Sequence, residues 1–407
     1  MDKHIPQGYK DSSLGIIPQE WEVKRLGDIA DITSGTTPLR ANSKYYNNGV
    51  IPWVKTTDLN NGTLYETEEK VSIEAVEKTS LKMLPKGTVL VAMYGGFRQI
   101  GRTALLGIDA TINQALSALM CKSSVESPFV LAWLNCRVNY WKRLAASSRK
   151  DPNITGNEVA KFPILIPSKE EQGCIVEVLG LWDTAIEKQS ELIEKLKLRK
   201  RALMQQLLTG KKRLPGFCGE WKEVKLGDVF DERNETNRDD LPLLSITGDK
   251  GVIYQSDSDK RDISNDDKSK YKRICPNDIG YNTMRMWQGR SALSELEGIV
   301  SPAYTIVTPR ENVNVRFMAM LIQQPRVVYD FWTHSQGLVS DTLNCKYPDF
   351  CKVKVRIPTE EEQTAIASVL VKADKEIELA EEKFSNLQSQ KRGLMQQLLT
   401  GKKRIKT

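Results

Sequence analysis

Two short segments of the chain combine arginine and glutamine with glycine, a pattern suited to binding the edges of nucleic-acid bases. Guanidinium and carboxamide groups form hydrogen bonds with base edges in the grooves of DNA, and glycine lets a loop approach another molecule closely. The segments QIGRTAL (99–105) and QGRSAL (288–293) also echo each other. The residues that we predict to bind DNA on these grounds are Arg98, Gln99, Arg102, Arg285, Gln288 and Arg290. For Arg102 and Arg290 an alternative stays open, in which GR[TS]AL is a strand that the fold requires and the arginine is structural.

Further polar side chains lie in loops that follow a strand or precede a long helix. These weaker candidates for DNA contact are Lys55, Thr57, Arg149, Lys150, Asn153, His334 and Gln336. Each could instead be an ordinary solvated loop residue. The basic runs 199–201 and 211–213 could hold phosphates, but cations near the C-terminus of a helix are favourable without a ligand, and we favour that interpretation.

The sequence contains no motif that indicates catalysis. DPNI (151–154) lacks the second proline and the aromatic residue of the [DN]PP[YF] loop that an amino-methyltransferase needs. GKK at 210 and 401 lacks the upstream glycine of a phosphate-binding loop. We therefore predict no catalytic residue and a non-enzymatic subunit, and we expect no cofactor.

Cysteine and histidine usage argues against a metal site. The seven cysteines are scattered without a CxxC pair, and the chain has two histidines. We predict reduced thiols in a cytoplasmic protein, because no signal peptide and no apolar run of membrane-spanning length is found. The formal net charge of +7 is compatible with a polyanionic partner but is mild for 407 residues.

An internal repeat in the sequence indicates the helices that must position the two arginine segments. Residues 166–214 align without a gap on residues 357–405, with 26 of 49 positions identical. Each copy begins with Pro-Ser/Thr followed three residues later by glutamate, a capping box, and reaches a glycine at 210 or 401. The repeat therefore predicts two long helices.

Mostly apolar residues recur along both predicted helices in alternating steps of four and three. They run from Ile175 to Leu207 and from Ile366 to Leu398, with one lysine in each seam, at Lys200 and Lys391. Such a heptad pattern is typical of a coiled coil, in which a polar seam residue can fix register. Two unrelated amphipathic surface helices would be the alternative, but two seams in one chain most simply bury against each other.

The segments between the helices have a different composition. Residues 20–165 and 220–356 contain short apolar runs bounded by glycine and proline, which indicates mixed α/β domains with short strands and long loops. EWEVKRLGD (20–28) echoes EWKEVKLGD (220–228), but the domains otherwise share little. A scaffold is thus repeated while its contents differ.

At this point the chain resembles the specificity (S) subunits of Type I restriction–modification systems. The resemblance lies in the repeats that open IP-x-x-EEQ, in the duplicated LMQQLLTGKKR (203–213 and 394–404), and in RLPGFCGEW (213–221). It implies an α+β fold with two target recognition domains separated by two long helices, which form an antiparallel coiled coil with pseudo-two-fold symmetry. The implied segments are target recognition domain 1 (1–165), spacer helix 1 (166–214), target recognition domain 2 (215–356) and spacer helix 2 (357–407).

The resemblance also implies the partners. Each recognition domain would bind one half of a bipartite, asymmetric site in double-stranded DNA, and the helices would dock two methyltransferase subunits and, through them, a restriction and translocase subunit. Two alternatives remain: a stand-alone DNA-binding regulator, and the specificity partner of a system with a fused methyltransferase–nuclease chain.

Some residues are identical in both copies of the repeat although the coiled-coil seam does not require it. We take them as candidates for binding a partner that docks once on each copy. The predicted partner-binding residues are Glu170, Gln172, Met204, Gln205, Gln206, Glu361, Gln363, Met395, Gln396 and Gln397. Recent duplication would also explain their identity, although the divergence between 173–202 and 364–393 weakens that explanation.

Overall fold

The computed structural model describes residues 5–146, 153–248, 250–258, 264, 266–337 and 342–405. The chain forms two compact units, and each takes part of both long helices. Unit 1 comprises Met1–Gln189 and Lys383–Thr407, and unit 2 comprises Ser190–Glu382. No helix in the described part of the chain is long and apolar enough to cross a membrane.

Unit 1 is built on a five-stranded sheet in the order β4-β11-β8-β9-β6, with smaller ladders around it. Its strands are β1 (Tyr9–Ser12), β2 (Gly15–Pro18), β3 (Glu22–Arg25), β4 (Ala30–Ser34), β5 (Ile51–Val54), β6 (Thr63–Leu64), β7 (Glu69–Val71), β8 (Val89–Ala92), β9 (Thr103–Leu106), β10 (Thr111–Ile112), β11 (Leu116–Cys121) and β12 (Pro163–Ile166). Its helices are α1 (Leu26–Ile29), α2 (Ile73–Lys78), α3 (Ser127–Cys136), α4 (Val138–Ala146), α5 (Gly156–Ala160) and the first part of α6 (Lys169–Leu207). All four residues of β8 are buried. The strand is therefore an unbroken apolar run and does not alternate between apolar and polar residues.

Unit 2 is built on a four-stranded antiparallel sheet in the order β14-β21-β18-β19. Its strands are β13 (Lys222–Lys225), β14 (Phe230–Arg233), β15 (Leu244–Ile246), β16 (Val252–Tyr254), β17 (Lys272–Ile274), β18 (Ile279–Asn282), β19 (Ser291–Leu293), β20 (Gly298–Val300), β21 (Tyr304–Pro309) and β22 (Lys354–Ile357). Its helices are α7 (Leu226–Val229), α8 (Val315–Leu321), α9 (Pro325–His334), α10 (Tyr347–Phe350) and the first part of α11 (Glu360–Leu398).

The two units share one framework. Strands β4, β11, β8 and β9 of unit 1 have the same order and antiparallel pairing as β14, β21, β18 and β19 of unit 2. The ladder of β3 with β12 likewise corresponds to that of β13 with β22. The prediction of two related mixed α/β domains is therefore confirmed, and so is the predicted fold class.

The long helices α6 and α11 are 39 residues each, or roughly 60 Å at 1.5 Å per residue. Their predicted ends differ slightly from the observed ones, because the last helical residues are Leu207 and Leu398 and a turn follows. The glycines end this turn as expected, with φ of 68° at Gly210 and 70° at Gly401.

Within each unit the helix halves pack antiparallel. In unit 1 the seam lysine Lys391 forms an ion pair with Asp183 of α6. In unit 2 the seam lysine Lys200 pairs with Asp374 of α11. The two pairs occupy the same places in the repeat with the helices exchanged. All twenty seam positions are buried or half-buried, so the predicted seam is confirmed.

The helix ends are embedded in the cores of the units. In unit 1, Leu179, Leu398 and Leu399 join a cluster with Trp133 and Trp141. In unit 2, Leu207, Leu208, Ile366 and Leu370 join the cluster around Phe317. Burial of each leucine is worth about 1.5–3 kcal/mol, which fixes each helix end to its own globular domain.

A buried glutamate also ties each helix pair together at its end. Arg404 donates to Glu171 with Nε–Oε1 2.6 Å and Nη2–Oε2 3.0 Å, and the Nε1 of Trp21 donates to the same carboxylate at 3.0 Å. Arg213 binds Glu362 in the same bidentate way, at 2.5 and 2.6 Å. The predicted capping box is therefore only half right: Ser168 Oγ accepts the N–H of Glu171, whereas the glutamate side chain turns to the arginine.

Candidate nucleic-acid interface

The two arginine segments form the same hairpin loop in the two units. The loop joins β8 to β9 in unit 1 and β18 to β19 in unit 2. Arg102 directly precedes β9 at Thr103, and Arg290 directly precedes β19 at Ser291. The sequence echo thus marks the last loop residue and the strand that follows it, so the strand is structural while its arginine lies at the loop end.

The unit 1 loop is held to its sheet by one buried residue and one glycine. Ile100 is buried, and the N–H of Gly101 donates to Ala92 O at 3.0 Å. Gly101 has φ of 75°, and a Cβ there would lie 2.7 Å from Cδ1 of Trp141 on α4. Only glycine fits this combination of left-handed backbone and close aromatic packing, so α4 sets the position of the loop.

The side chains that this loop presents are cationic, polar and aromatic. Arg98 is exposed and forms no hydrogen bond or ion pair with any described residue. Arg102 donates from Nη1 to Gln99 Oε1 at 3.0 Å, which uses the acceptor of that glutamine and leaves its amide N–H groups free. Tyr94 and Phe97 are 41% and 49% exposed on the same loop. These two aromatics were not among the predicted contacts, although they stand beside glycines and Arg98 in the sequence.

A second segment of unit 1 lies against this loop. A Cβ on Gly95 would come within 3.8 Å of Thr56 Oγ1, and the neighbouring Thr57 is exposed. Lys55 is different, since its Nζ lies 2.9 Å from Glu68 and 2.8 Å from Glu69. The hydrogen bond to Glu69 raises the pKa of Lys55. Its charge is thus paired within the fold, and the contact of Lys55 with DNA stays a prediction.

The unit 2 loop is braced in the same manner. Met286 is fully buried, Gly289 has φ of 73°, and a Cβ there would lie 3.1 Å from Cγ2 of Val328 on α9. Backbone bonds close the loop on itself, from Gln288 N to Arg285 O at 2.9 Å and from Gly289 N to Met286 O at 2.8 Å. The position of Val328 corresponds to that of Trp141 in unit 1, so both loops are supported by a helix behind a glycine.

Arg285 and Arg290 line an open cleft of about 490 Å³ in unit 2. Neither guanidinium forms a hydrogen bond or ion pair with the residues that the structure describes. Other arginines of the unit do: Arg233 pairs with Asp278, Arg273 with Glu235 and Glu297, and Arg310 with Asp231. Gln288 is exposed on the same loop. The structure therefore brings two unpaired guanidinium groups together where the sequence predicted a DNA contact.

The remaining predicted DNA contacts are spread over other places. Asn153 is half-buried next to Ile154, whose N–H donates to Met93 O at the base of the unit 1 loop. Arg149 and Lys150 lie outside the described residues.

In unit 2, His334 and Gln336 are not part of the arginine cleft. His334 ends α9 and lines a separate cleft with Lys211 and Arg356. Gln336 exchanges two backbone hydrogen bonds with Asn344, and its Nε2 lies 3.3 Å from Asp349 Oδ1. Helix α9 and the segment after it place these two residues away from Arg285 and Arg290, and their contact with DNA stays a prediction.

The predicted partner-binding residues separate into three groups. Exposed side chains are those of Glu170, Gln205, Gln206, Glu361, Gln396 and Gln397. Met204 and Met395 are half-buried and pack against the cores of their own units. Gln172 and Gln363 are buried, and each carboxamide bonds within the chain: Gln172 accepts from Glu126 N and donates to Pro167 O, and Gln363 pairs with Asn314 and Pro358 in the same way. The carboxamides of these two glutamines therefore serve contacts within the chain, and partner contact by them stays a prediction.

None of the seven cysteines belongs to an arginine loop, although the N–H of Cys345 donates to Thr283 O in the unit 2 loop at 2.9 Å. All seven are free thiols, and burial raises the pKa of Cys345 to about 12. Burial also raises the pKa of Cys121 and of Cys136, which keeps these thiols protonated at neutral pH. In the described ranges, no three His, Cys, Asp or Glu side chains are placed as metal ligands would be.

Comparison with known proteins finds relatives in sequence and in fold. The model of the family described as Type I restriction modification DNA specificity domain matches residues 18–198. The chain is 31% identical over 198 residues to the Type I restriction enzyme MjaIX specificity subunit of Methanocaldococcus jannaschii, covering 47% of this chain and 45% of that protein. It is 26% identical over 178 residues to the EcoR124I/EcoR124II specificity subunit of Escherichia coli, covering 43% and 44%. The chain thus spans less than half the length of these two relatives.

A solved structure extends the similarity of fold to nearly the whole chain. The S subunit of a Type I restriction–modification system from M. genitalium superimposes with a TM-score of 0.54 at 14% identity, covering 93% of this chain and 96% of that one. At this identity the similarity concerns the fold. In sequence over residues 18–198, and in fold over nearly the whole chain, the chain is similar to specificity subunits of Type I restriction–modification systems.

Proposed function

We propose that the chain is the DNA-recognition subunit of a Type I restriction–modification complex and binds a bipartite, asymmetric DNA target. Residues 1–165 bind one half-site and residues 215–356 bind the other. The observation that carries this proposal is the pair of equivalent hairpin loops. Each loop is supported by a glycine that packs against a helix, but the two loops present different hydrogen-bond donors. In unit 1, Arg102 is bonded to Gln99, whereas in unit 2 the guanidinium of Arg290 has no hydrogen bond or ion pair with any residue that the structure describes. Two loops with the same backbone framework but different side chains are suited to binding two different base sequences.

The paired helices are proposed to dock two methyltransferase subunits. Gln205 and Gln206 near the end of α6 and Gln396 and Gln397 near the end of α11 are exposed in identical sequence surroundings. The seam does not require exposed glutamines, so their duplication fits one partner surface that docks at two places. A restriction subunit joins through these partners, and the chain itself contributes recognition rather than catalysis.

The experiment that tests this proposal is purification of the tagged full chain from its native cells, followed by mass spectrometry and an assay of methyl transfer to DNA. We expect co-purification of a protein with an NPP[FY] motif and methylation that depends on the tagged chain. The proposal fails if the chain is recovered alone and binds a specific DNA sequence unaided, which is the behaviour of a stand-alone regulator. It also fails if the co-purifying methyltransferase modifies the same sequence without the chain.

A further inference from the structure

The arginine cleft of unit 2 offers hydrogen-bond donors and, among the described residues that line it, no acidic side chain. Arg285, Arg290 and Lys250 contribute cationic donors. Asn282 Oδ1 accepts from Met284 N at 3.0 Å, so its amide N–H groups are the part left to donate. A surface of this kind fits a ligand that presents adjacent acceptors.

The donors are mounted on a rigid support. Asn282 N donates to Arg290 O at 3.1 Å and Arg285 N to Asn282 O at 3.0 Å, so both ends of the loop are bonded together. The buried Met286 and the helix α9 hold the loop from behind. Such preorganisation lowers the entropic cost of binding and favours selection between similar ligands.

Gly248 leaves the space that Arg290 occupies. A Cβ on Gly248 would lie 2.2 Å from Nη1 of Arg290. The backbone of Gly248 is not in the left-handed region, unlike that of Gly251 and Gly289, so its conformation is open to any residue. The backbone conformation does not require glycine at position 248, but the space occupied by the guanidinium of Arg290 does.

The cleft walls distinguish between acceptor ligands. Ile246 and Ile253 line the cleft beside the guanidinium groups, and an apolar wall suits the flat face or edge of a base better than a hydrated phosphate. In the major groove guanine alone presents two adjacent acceptors, N7 and O6, whereas adenine pairs an acceptor with a donor. A bidentate guanidinium matches the guanine pattern.

We propose that the half-site bound by unit 2 contains a G·C pair whose guanine edge is bound by Arg290 in this cleft, in the position that Gly248 leaves open. The inference rests on the proposed function, since it names one base of the DNA that unit 2 recognises. Arg102 of unit 1 is bonded to Gln99 and faces no comparable opening at a glycine, so the assignment applies to the unit 2 half-site alone.

The test compares methylated motifs. The complete system is expressed with the wild-type chain, with Arg290→Lys, with Gly248→Ala, and with Arg316→Lys as a matched control, because Arg316 is paired with Glu295 outside the cleft. Methylated positions are mapped across the host genome, and binding of the purified complex to target and single-base variants is measured over a salt series. Arg290→Lys keeps the charge and removes the bidentate fork.

We expect a guanine at one position of one half-site whose preference falls roughly 10-fold or more in Arg290→Lys. The preference falls less in Gly248→Ala, because its methyl group displaces the guanidinium without straining the backbone. The other positions and the Arg316→Lys motif stay unchanged. If the methylated motif is unchanged in both Arg290→Lys and Gly248→Ala, the inference is overturned while the proposed function stands.

Two further outcomes would also reject it. A further variant, Arg290→Ala, removes the charge as well: if it loses affinity uniformly at all bases, with a salt dependence reduced by about one phosphate contact, the cleft binds the DNA backbone. Failure of the wild-type chain to direct any bipartite motif would reject the proposed function and the inference together.

Discussion

Replacement of Gly101 by alanine tests whether helix α4 positions the recognition loop of unit 1. Alanine at φ of 75° costs about 1–2 kcal/mol, because Cβ crowds the backbone in the left-handed region. The new Cβ would in addition lie 2.7 Å from Cδ1 and 2.9 Å from Cβ of Trp141, and overpacking of this kind costs roughly 1–3 kcal/mol. The sum, about 2–5 kcal/mol, can be relieved by displacing the loop while the sheet stays folded.

Gly96 provides a matched control on the same loop. It has φ of 77°, but a Cβ there meets nothing within 4 Å. Gly96→Ala therefore carries the backbone cost without the collision, and the difference between the two variants isolates the packing against Trp141.

The assay determines the methylated motif of each variant and, separately, urea unfolding of the purified chain. We expect Gly101→Ala to lose discrimination in the unit 1 half-site by at least 10-fold, to retain the other half-site, and to be less stable than Gly96→Ala. Equal motifs and equal stabilities for the two variants would refute the argument that α4 positions the loop. Loss of both half-sites would show that the substitution unfolds more than the loop.

Three further predictions concern other parts of the chain. Arg98→Ala should abolish discrimination in one half-site and Arg285→Ala in the other, as measured by motif mapping, and a loss in the same half-site for both would contradict the assignment of one unit to each. Insertion of one heptad into both long helices should lengthen the gap between half-sites if, as proposed, the helices set the spacing; an unchanged gap in the mapped motif would exclude that role. Arg404→Ala should lower the melting temperature by a few degrees, since it removes a half-exposed cation from the buried Glu171 and leaves the bond from Trp21 in place; an unchanged melting temperature would show that this ion pair does not stabilise the helix end.

Much of the framework was predictable from local pattern. The heptad seam predicted the long helices and their packing, because periodic apolar residues must be buried together. Short apolar runs indicated strands, and the GR[TS]AL echo indicated either a loop or a strand, because strand residues and turn glycines leave local signals; the structure shows the loop and the strand joined in a hairpin. The seam lysines were visible as polar insertions, but their partners Asp183 and Asp374 depended on the antiparallel alignment.

The sequence could not reveal side-chain partners that distant segments supply. Gln172 and Gln363 read as surface residues of a polar triplet, yet each caps a backbone N–H of the globular domain, from Glu126 and from Asn314. Lys55 read as a loop cation, yet Glu68 and Glu69 neutralise it across a turn. Such pairings follow from tertiary packing and leave no mark in residue type or spacing.

The central claim is that two different recognition surfaces act at a fixed separation, and the methylated motif of the wild-type system tests it most directly. Base-resolution mapping of host DNA that carries the complete system should give two unlike half-sites separated by a spacer of constant length. A single contiguous motif, or two half-sites of identical sequence in inverted orientation, would contradict the account, because units 1 and 2 present different donors on equivalent loops.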